Sequence, residues 1–198
     1  MSPQHLILTG MPGAGKTCVG RSLARILGRE FVDLDLEIDR LGGRSPAEIL
    51  REDGEDVFRR LETETLERVL GREAPLVVAL GGGTIVTAAA RERLRPELVV
   101  FLEVDLSDLV ARVTPSGSAR RPLLGADPRA SMAELLAARE PWYRETATIS
   151  VAAGAHPDAV ALGVLEALAA IDVGAGAPQY HWAPTTRGEE ADVPGGDN

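Results

Sequence analysis

The chain has 198 residues, 44% hydrophobic and 26% charged, which suits one compact domain with a real core. Its net charge of −9 excludes a general nucleic-acid or anionic-membrane binder, which needs a basic face. The single cysteine, Cys18, excludes an internal disulfide and fits a reducing compartment. Met1–Leu8 carries no basic, apolar leader, and no apolar run approaches the roughly 18 residues of a membrane span, so the expected setting is the cytoplasm, with no membrane partner.

His5–Thr9 is the first predicted strand. It runs into Gly10-Met11-Pro12-Gly13-Ala14-Gly15-Lys16-Thr17, which fits the phosphate-loop pattern G-x-x-x-x-G-K-[ST]. A helix follows, with Val19, Leu23, Ile26 and Leu27 on one face and Gly28 as its stop. In that setting successive backbone N–H groups curl round a β-phosphate, and the helix N-terminus adds positive potential. Gly13, Ala14, Gly15 and Cys18 line the cradle, Lys16 reaches the β- and γ-oxygens, and the Thr17 hydroxyl ligates Mg²⁺. Lys16 is the only lysine among 21 basic residues, and it falls where the motif needs a compact ammonium. A glycine-rich turn matching by chance is the bland alternative, and the strand and helix on either side argue against it.

Phe31–Leu34 is the second predicted strand, and Asp33-Leu34-Asp35 closes it. Strand alternation puts both carboxylates on one face beside the phosphate loop. One can organise the metal while the other orients an acceptor hydroxyl and takes its proton; alternatively Asp35 caps a helix and Asp33 is merely exposed. Ser45-Pro46-Ala47-Glu48 is a capping box that starts a helix, which breaks at Gly54 and resumes to about Leu70. Arg59 lies on it, with Glu62 one turn later. Leu76–Leu80 is the third strand, and Gly81-Gly82-Gly83 after it lets backbone approach a ligand closely. No acidic residue ends this strand, so Asp33 has to organise the metal.

Leu98–Leu102 is the fourth strand, followed by a helix capped by Asp105 with Leu106, Leu109, Val110 and Val113 on one side. Thr114–Pro128, rich in Pro and Gly, reads as a mobile lid carrying Arg121. A second capping box, Ser131–Glu134, opens a helix to about Arg144 that carries Arg139. Thr148–Val151 is the fifth strand, and a last helix covers about Pro157 to Ile171. From Gly174 the sequence loses its aliphatic residues and reads as a disordered tail, leaving 1–173 as the domain. The alternation gives a parallel sheet with helices on both faces, and ligands bind at the carboxyl ends of its strands. His5, His156 and His181 form no metal or nucleophile constellation, and Cys18 reads as a small packed residue.

Taken together, GMPGAGKT (10–17), DLD (33–35), GRSPAEILREDGEDVFRRLE (43–62), LGGGTIV (80–86), RRPLL (120–124) and REPWYRETA (139–147) resemble the shikimate kinases over about residues 4–171. The resemblance implies an α/β, three-layer P-loop kinase fold with a five-stranded parallel sheet. It implies transfer from MgATP to the 3-hydroxyl of shikimate, ATP and Mg²⁺ being the cofactors, by a monomer with no nucleic-acid partner. By the same warrant Arg59 and Arg139 grip the acceptor carboxylate, Asp35 its ring hydroxyls, and Gly81, Gly82 and Gly83 complete that pocket. Asp33 steadies Mg²⁺ through water, Arg121 neutralises the transferring phosphate, and Arg112 and Pro157 neighbour adenine. Leu50 and Pro46 depart from the family pattern in the acceptor pocket. A gluconate kinase is the nearest rival, though such enzymes usually carry an Ala-Leu-Lys type sequence in place of the glycine triplet. A non-catalytic nucleotide-binding regulatory module is the rival from another class, and it would be expected to have lost Lys16, Asp35 or Arg121.

Lys16→Arg keeps the charge but replaces a compact ammonium with a bulky planar fork, so steady-state assay should find most turnover abolished. Near-normal turnover in that variant would remove the phosphate-loop argument.

Overall fold

The structure, a computed structural model, describes residues 5–113 and 127–174. Among them the chain forms strands β1 (Leu6–Thr9), β2 (Glu30–Asp33), β3 (Leu76–Ala79), β4 (Leu98–Glu103) and β5 (Ile149–Ala152). They make one sheet in the order β2-β3-β1-β4-β5, with every neighbouring pair parallel. Helices α1 (Lys16–Leu27), α2 (Leu34–Gly42), α3 (Pro46–Glu52), α4 (Glu55–Leu70), α5 (Ala88–Leu94), α6 (Leu106–Val113), α7 (Pro128–Thr146) and α8 (Pro157–Gly174) connect them, with a 3₁₀ turn at Thr84–Val86.

β1 is central because it is apolar on both faces, and Leu6, Ile7 and Leu8 are all buried. The register explains how the two faces are covered. Leu6 pairs with Val77, which pairs with Phe31, so these lie on one face with Leu8. There α1 comes down with Gly20, and α8 packs beside α1. Thr9 pairs with Phe101 on the opposite face, where Tyr143 of α7 stacks on Phe101 at 5.0 Å between ring centroids. The side on which strands are added switches at β1, since β2 and β3 lie on one side of it and β4 and β5 on the other. That switch point opens a crevice at the carboxyl edge.

Several expectations shift. β2 ends at Asp33 instead of Leu34, and Leu34 begins α2, a helix that the alternating Asp-Leu-Asp-Leu-Glu-Ile pattern concealed. Asp33 caps it, its side chain accepting from the Asp35 N–H at 3.2 Å, so Asp35 stands in a first helical turn and not in a strand. Ile26 is exposed, and Ala24 takes the inward place beside Leu23 and Leu27. The Ser45–Glu48 capping box forms with both its hydrogen bonds. Ser131–Glu134 does not open α7: Asp127 caps it, with Pro128 at the first position, so the expected lid segment 114–128 ends in helix. α7 runs past Arg144 to Thr146, α8 runs to Gly174, and α5 was not anticipated. Arg121, residues 114–126 of the expected lid and the tail beyond Gly174 lie outside the described residues. No helix among the described residues is long and apolar enough to cross a membrane.

His5 is buried and structural: its Nδ1 accepts from the Leu76 N–H at 3.1 Å and its Nε2 donates to Leu70 O at 3.1 Å. A Cβ on Gly20 would lie 2.4 Å from Phe31 Cε2 and 3.2 Å from Leu8 Cδ1. The helix-propensity gain of Gly→Ala is about 1 kcal/mol, whereas overpacking costs about 1–3 kcal/mol. The steric term should win: Gly20→Ala should lower the melting temperature by several degrees in a thermal scan. An unchanged or higher value would show that Phe31 swings aside freely.

Candidate active site

The phosphate loop leaves β1 at Thr9 and enters α1 at Lys16. Gly13 (φ 87°) and Gly15 (φ 91°) take left-handed conformations that a side chain would strain. Gly13 has a second constraint, since a Cβ there would lie 2.9 Å from Val113 Cγ1 at the end of α6. The Lys16 ammonium crosses the loop, donating to Gly10 O at 2.8 Å and Met11 O at 3.0 Å. The Thr17 hydroxyl donates to Asp33 Oδ2 at 2.7 Å, so the helix N-terminus and the end of β2 share a pair of hard oxygens. Arg112 donates to Ala153 O at 3.2 Å and to Gly154 O at 3.3 Å, with a longer contact to Gly13 O. It thereby ties the loop after β5, just ahead of Pro157, to the phosphate loop.

This loop floors one end of a cavity of about 700 Å³. Asp35, Arg59, Gly81, Gly82, Gly83 and Arg139 surround the other end. Gly13–Cys18, Asp33, Arg112 and Pro157 also line it, so every candidate residue that the structure describes faces one space. Cys18 lines the nucleotide end of the cavity as the cradle reading expects, but it is exposed there and is not the packed residue that its size suggested.

The acceptor end is built by α4, the glycine triplet and α7. Arg59 donates to Glu62 Oε2 at 2.7 Å and to Glu55 Oε1 at 3.2 Å. Glu62 is buried and its other oxygen accepts from the Thr84 hydroxyl at 2.6 Å. Arg139, also buried, donates to Gly82 O at 3.1 Å. None of the three glycines has a positive φ, so their requirement is space. A Cβ on Gly81 would lie 2.7 Å from Asp35 Oδ1 and 2.9 Å from Glu62 Oε1. On Gly82 it would lie 2.9 Å from Pro12 Cδ, and on Gly83 2.7 Å from both Nη atoms of Arg59. The sequence reading missed what Glu62, Thr84 and Tyr143 do here. The Arg59–Glu62 spacing on a helix was the one local signal for Glu62.

Asp35 opens to solvent through the cavity while protein crowds its inner side. That crowding pushes its carboxyl up to about 6; Asp33 and Glu62 add to the rise, and Lys16 and Arg59 oppose it.

Fold and site together define an ATP-dependent P-loop kinase for a small molecule. The family model described as shikimate kinase matches residues 12–169. A shikimate kinase of Thermobifida fusca is 45% identical over 150 residues, covering 76% of this chain and 86% of that protein. The structure of shikimate kinase from Acinetobacter baumannii in complex with shikimate superposes with a TM-score of 0.81 at 36% identity, covering 86% of this chain and 96% of that one. The chain belongs to the shikimate kinase family. A gluconokinase from Sinorhizobium meliloti, at 21% identity and TM-score 0.56, covers 85% of this chain and 95% of its own and shares the fold alone.

Because the folded state raises the Asp35 pKa, it binds this proton more tightly than the unfolded chain does. The group's stabilising contribution is full below the ordinary carboxylate value and is lost as pH rises through about 6. Asp35→Asn should therefore melt higher than the parent at pH 8, with the gap closing below about pH 4. A lower melting point at pH 8 would show that ionised Asp35 holds the fold together.

Proposed function

We propose that this chain transfers the γ-phosphoryl group of MgATP to the 3-hydroxyl of shikimate, giving shikimate 3-phosphate and ADP. One observation carries the reading: a single cavity holds a phosphate cradle at one end and, at the other, a carboxylate flanked by two well-covered guanidinium groups. Two arginines in such a pocket suit a sugar-like carboxylic acid better than a neutral sugar. On this reading Arg59 and Arg139 hold the acceptor carboxylate and Asp35 its ring hydroxyls.

Asp35 takes the hydroxyl proton as the acceptor oxygen bonds to the γ-phosphorus and the bond to the β–γ bridging oxygen breaks. Lys16, fixed across the loop by two carbonyls, meets the charge on the β- and γ-oxygens. Thr17 Oγ1 and Asp33 are hard oxygen donors side by side, which fits Mg²⁺ held by a carboxylate together with phosphates and water. The ion would offset phosphate charge when bound. Arg121 belongs to the proposal through its sequence motif, as the group that neutralises the transferring phosphate. A cytoplasmic monomer with its kinase domain over 1–173 completes the reading, supported by the acidic charge and the single cysteine.

An ADP-release assay against shikimate, gluconate, quinate and no acceptor tests the reading. Turnover with shikimate should exceed the others by orders of magnitude; preference for gluconate, or no acceptor-dependent release, would overturn it.

The two aspartates should separate in kinetics. Asp35→Asn should keep ATP affinity and lose about 10²–10⁴-fold in turnover, whereas Asp33→Asn should also weaken nucleotide affinity and Mg²⁺ dependence. For the parent, kcat/KM should fall as pH drops below about 6, where Asp35 becomes protonated. Loss of nucleotide binding in Asp35→Asn but not in Asp33→Asn would mean that the roles are reversed.

A further inference from the structure

Tyr143 is fully buried on α7, one helical turn beyond Arg139, and belongs to no part of the chemistry assigned above. Its ring stacks on Phe101 of β4 with an interplanar angle of 16°. Its hydroxyl donates to Gly82 O, and Met11 Sδ of the phosphate loop lies 3.9 Å away. Gly82 O also accepts from Arg139 Nη1, so the two donors fill both lone pairs of one carbonyl. On its other side Gly82 lies flush against Pro12, where even a Cβ would meet Cδ at 2.9 Å and Cγ at 3.0 Å.

Packing alone asks for a ring at position 143, not for a hydroxyl. A buried phenol needs a partner, and this one finds it in the loop that the acceptor site is built from. Burial holds the hydroxyl up to about 12, so it stays a donor throughout the working pH range.

We infer that Tyr143 is a positioning residue: its hydroxyl fixes the Gly82 carbonyl, which in turn fixes the Arg139 guanidinium at the acceptor end and holds the acceptor wall against the phosphate loop at Pro12. The inference rests on the proposed function, in which Arg139 grips the acceptor carboxylate. It predicts a loss directed at the acceptor and transmitted through Arg139, and not a general loss of fold.

The variant to make is Tyr143→Phe, which keeps the ring and its stacking on Phe101. Steady-state kinetics should show KM for shikimate raised about tenfold, as for one lost positioning hydrogen bond, and KM for ATP within about twofold. The melting temperature should change by only a few degrees. A double-mutant cycle with Arg139→Ala supplies the readout that a merely structural role would not move. If Tyr143 acts through Arg139, Tyr143→Phe should change KM for shikimate by less than about twofold in the Arg139→Ala background. Additive effects, equal losses for both substrates, or an unchanged Tyr143→Phe enzyme would each overturn the inference. Parent enzyme inert toward shikimate would overturn the proposed function and this inference with it, so the two failures are told apart by the parent control.

Discussion

The acceptor half of the cavity depends on volume withheld at three successive positions. After β3, Gly81, Gly82 and Gly83 leave room for Asp35 and Glu62, then Pro12, then the Arg59 guanidinium, each closer than a Cβ would permit. Their backbone angles are ones that any residue can adopt, so the glycines are needed for contact and not for turning. Elements far apart in sequence therefore converge on one strip of bare backbone. The start of α2, the middle of α4 and the phosphate loop all press on it, and α7 is hydrogen-bonded to it through Arg139 and Tyr143.

Much of this was legible in the sequence because the signals were strong and local. The phosphate loop, the glycine triplet and the Ser45 capping box each depend on a few adjacent residues with one physical reading. The five strands were found from short apolar runs, with edges displaced by a residue. Other features depended on competition between signals. Asp33–Ile38 alternates apolar and polar residues as a strand would, yet Asp33 caps a helix, because its carboxylate reaches the Asp35 N–H. At α7 two capping patterns stood four residues apart, and the earlier won because Pro128 is preorganised for a first turn.

What the sequence could not show were partners brought together only by folding. Glu62 and Thr84 are 22 positions apart, and Tyr143 and Gly82 are 61 apart. Nothing local announces either pair. Cys18 misled for the same reason: a small residue early in a helix packs inward or faces a cavity depending on what lies opposite. The pairs explain why the arginines in this site cannot be judged one at a time. Arg59 is held by Glu62 and Glu55 before any ligand arrives, so its rotamer freedom is already spent and its orientation is set.

The contact between Gly82 and Pro12 has a consequence for how such a site can drift over generations. The conflict there is one of bulk between a loop after β3 and a ring in the phosphate loop, with no special dihedral at stake. A larger residue at 82 meets the Pro12 ring first, and the backbone nitrogen of residue 12 lies 3.2 Å from the same point, so the ring sets most of the conflict but not all of it. The cost of a side chain at 82 therefore depends on which residue stands at 12. A residue without a ring at 12 would remove the two tightest contacts and leave the backbone one, easing the conflict in part.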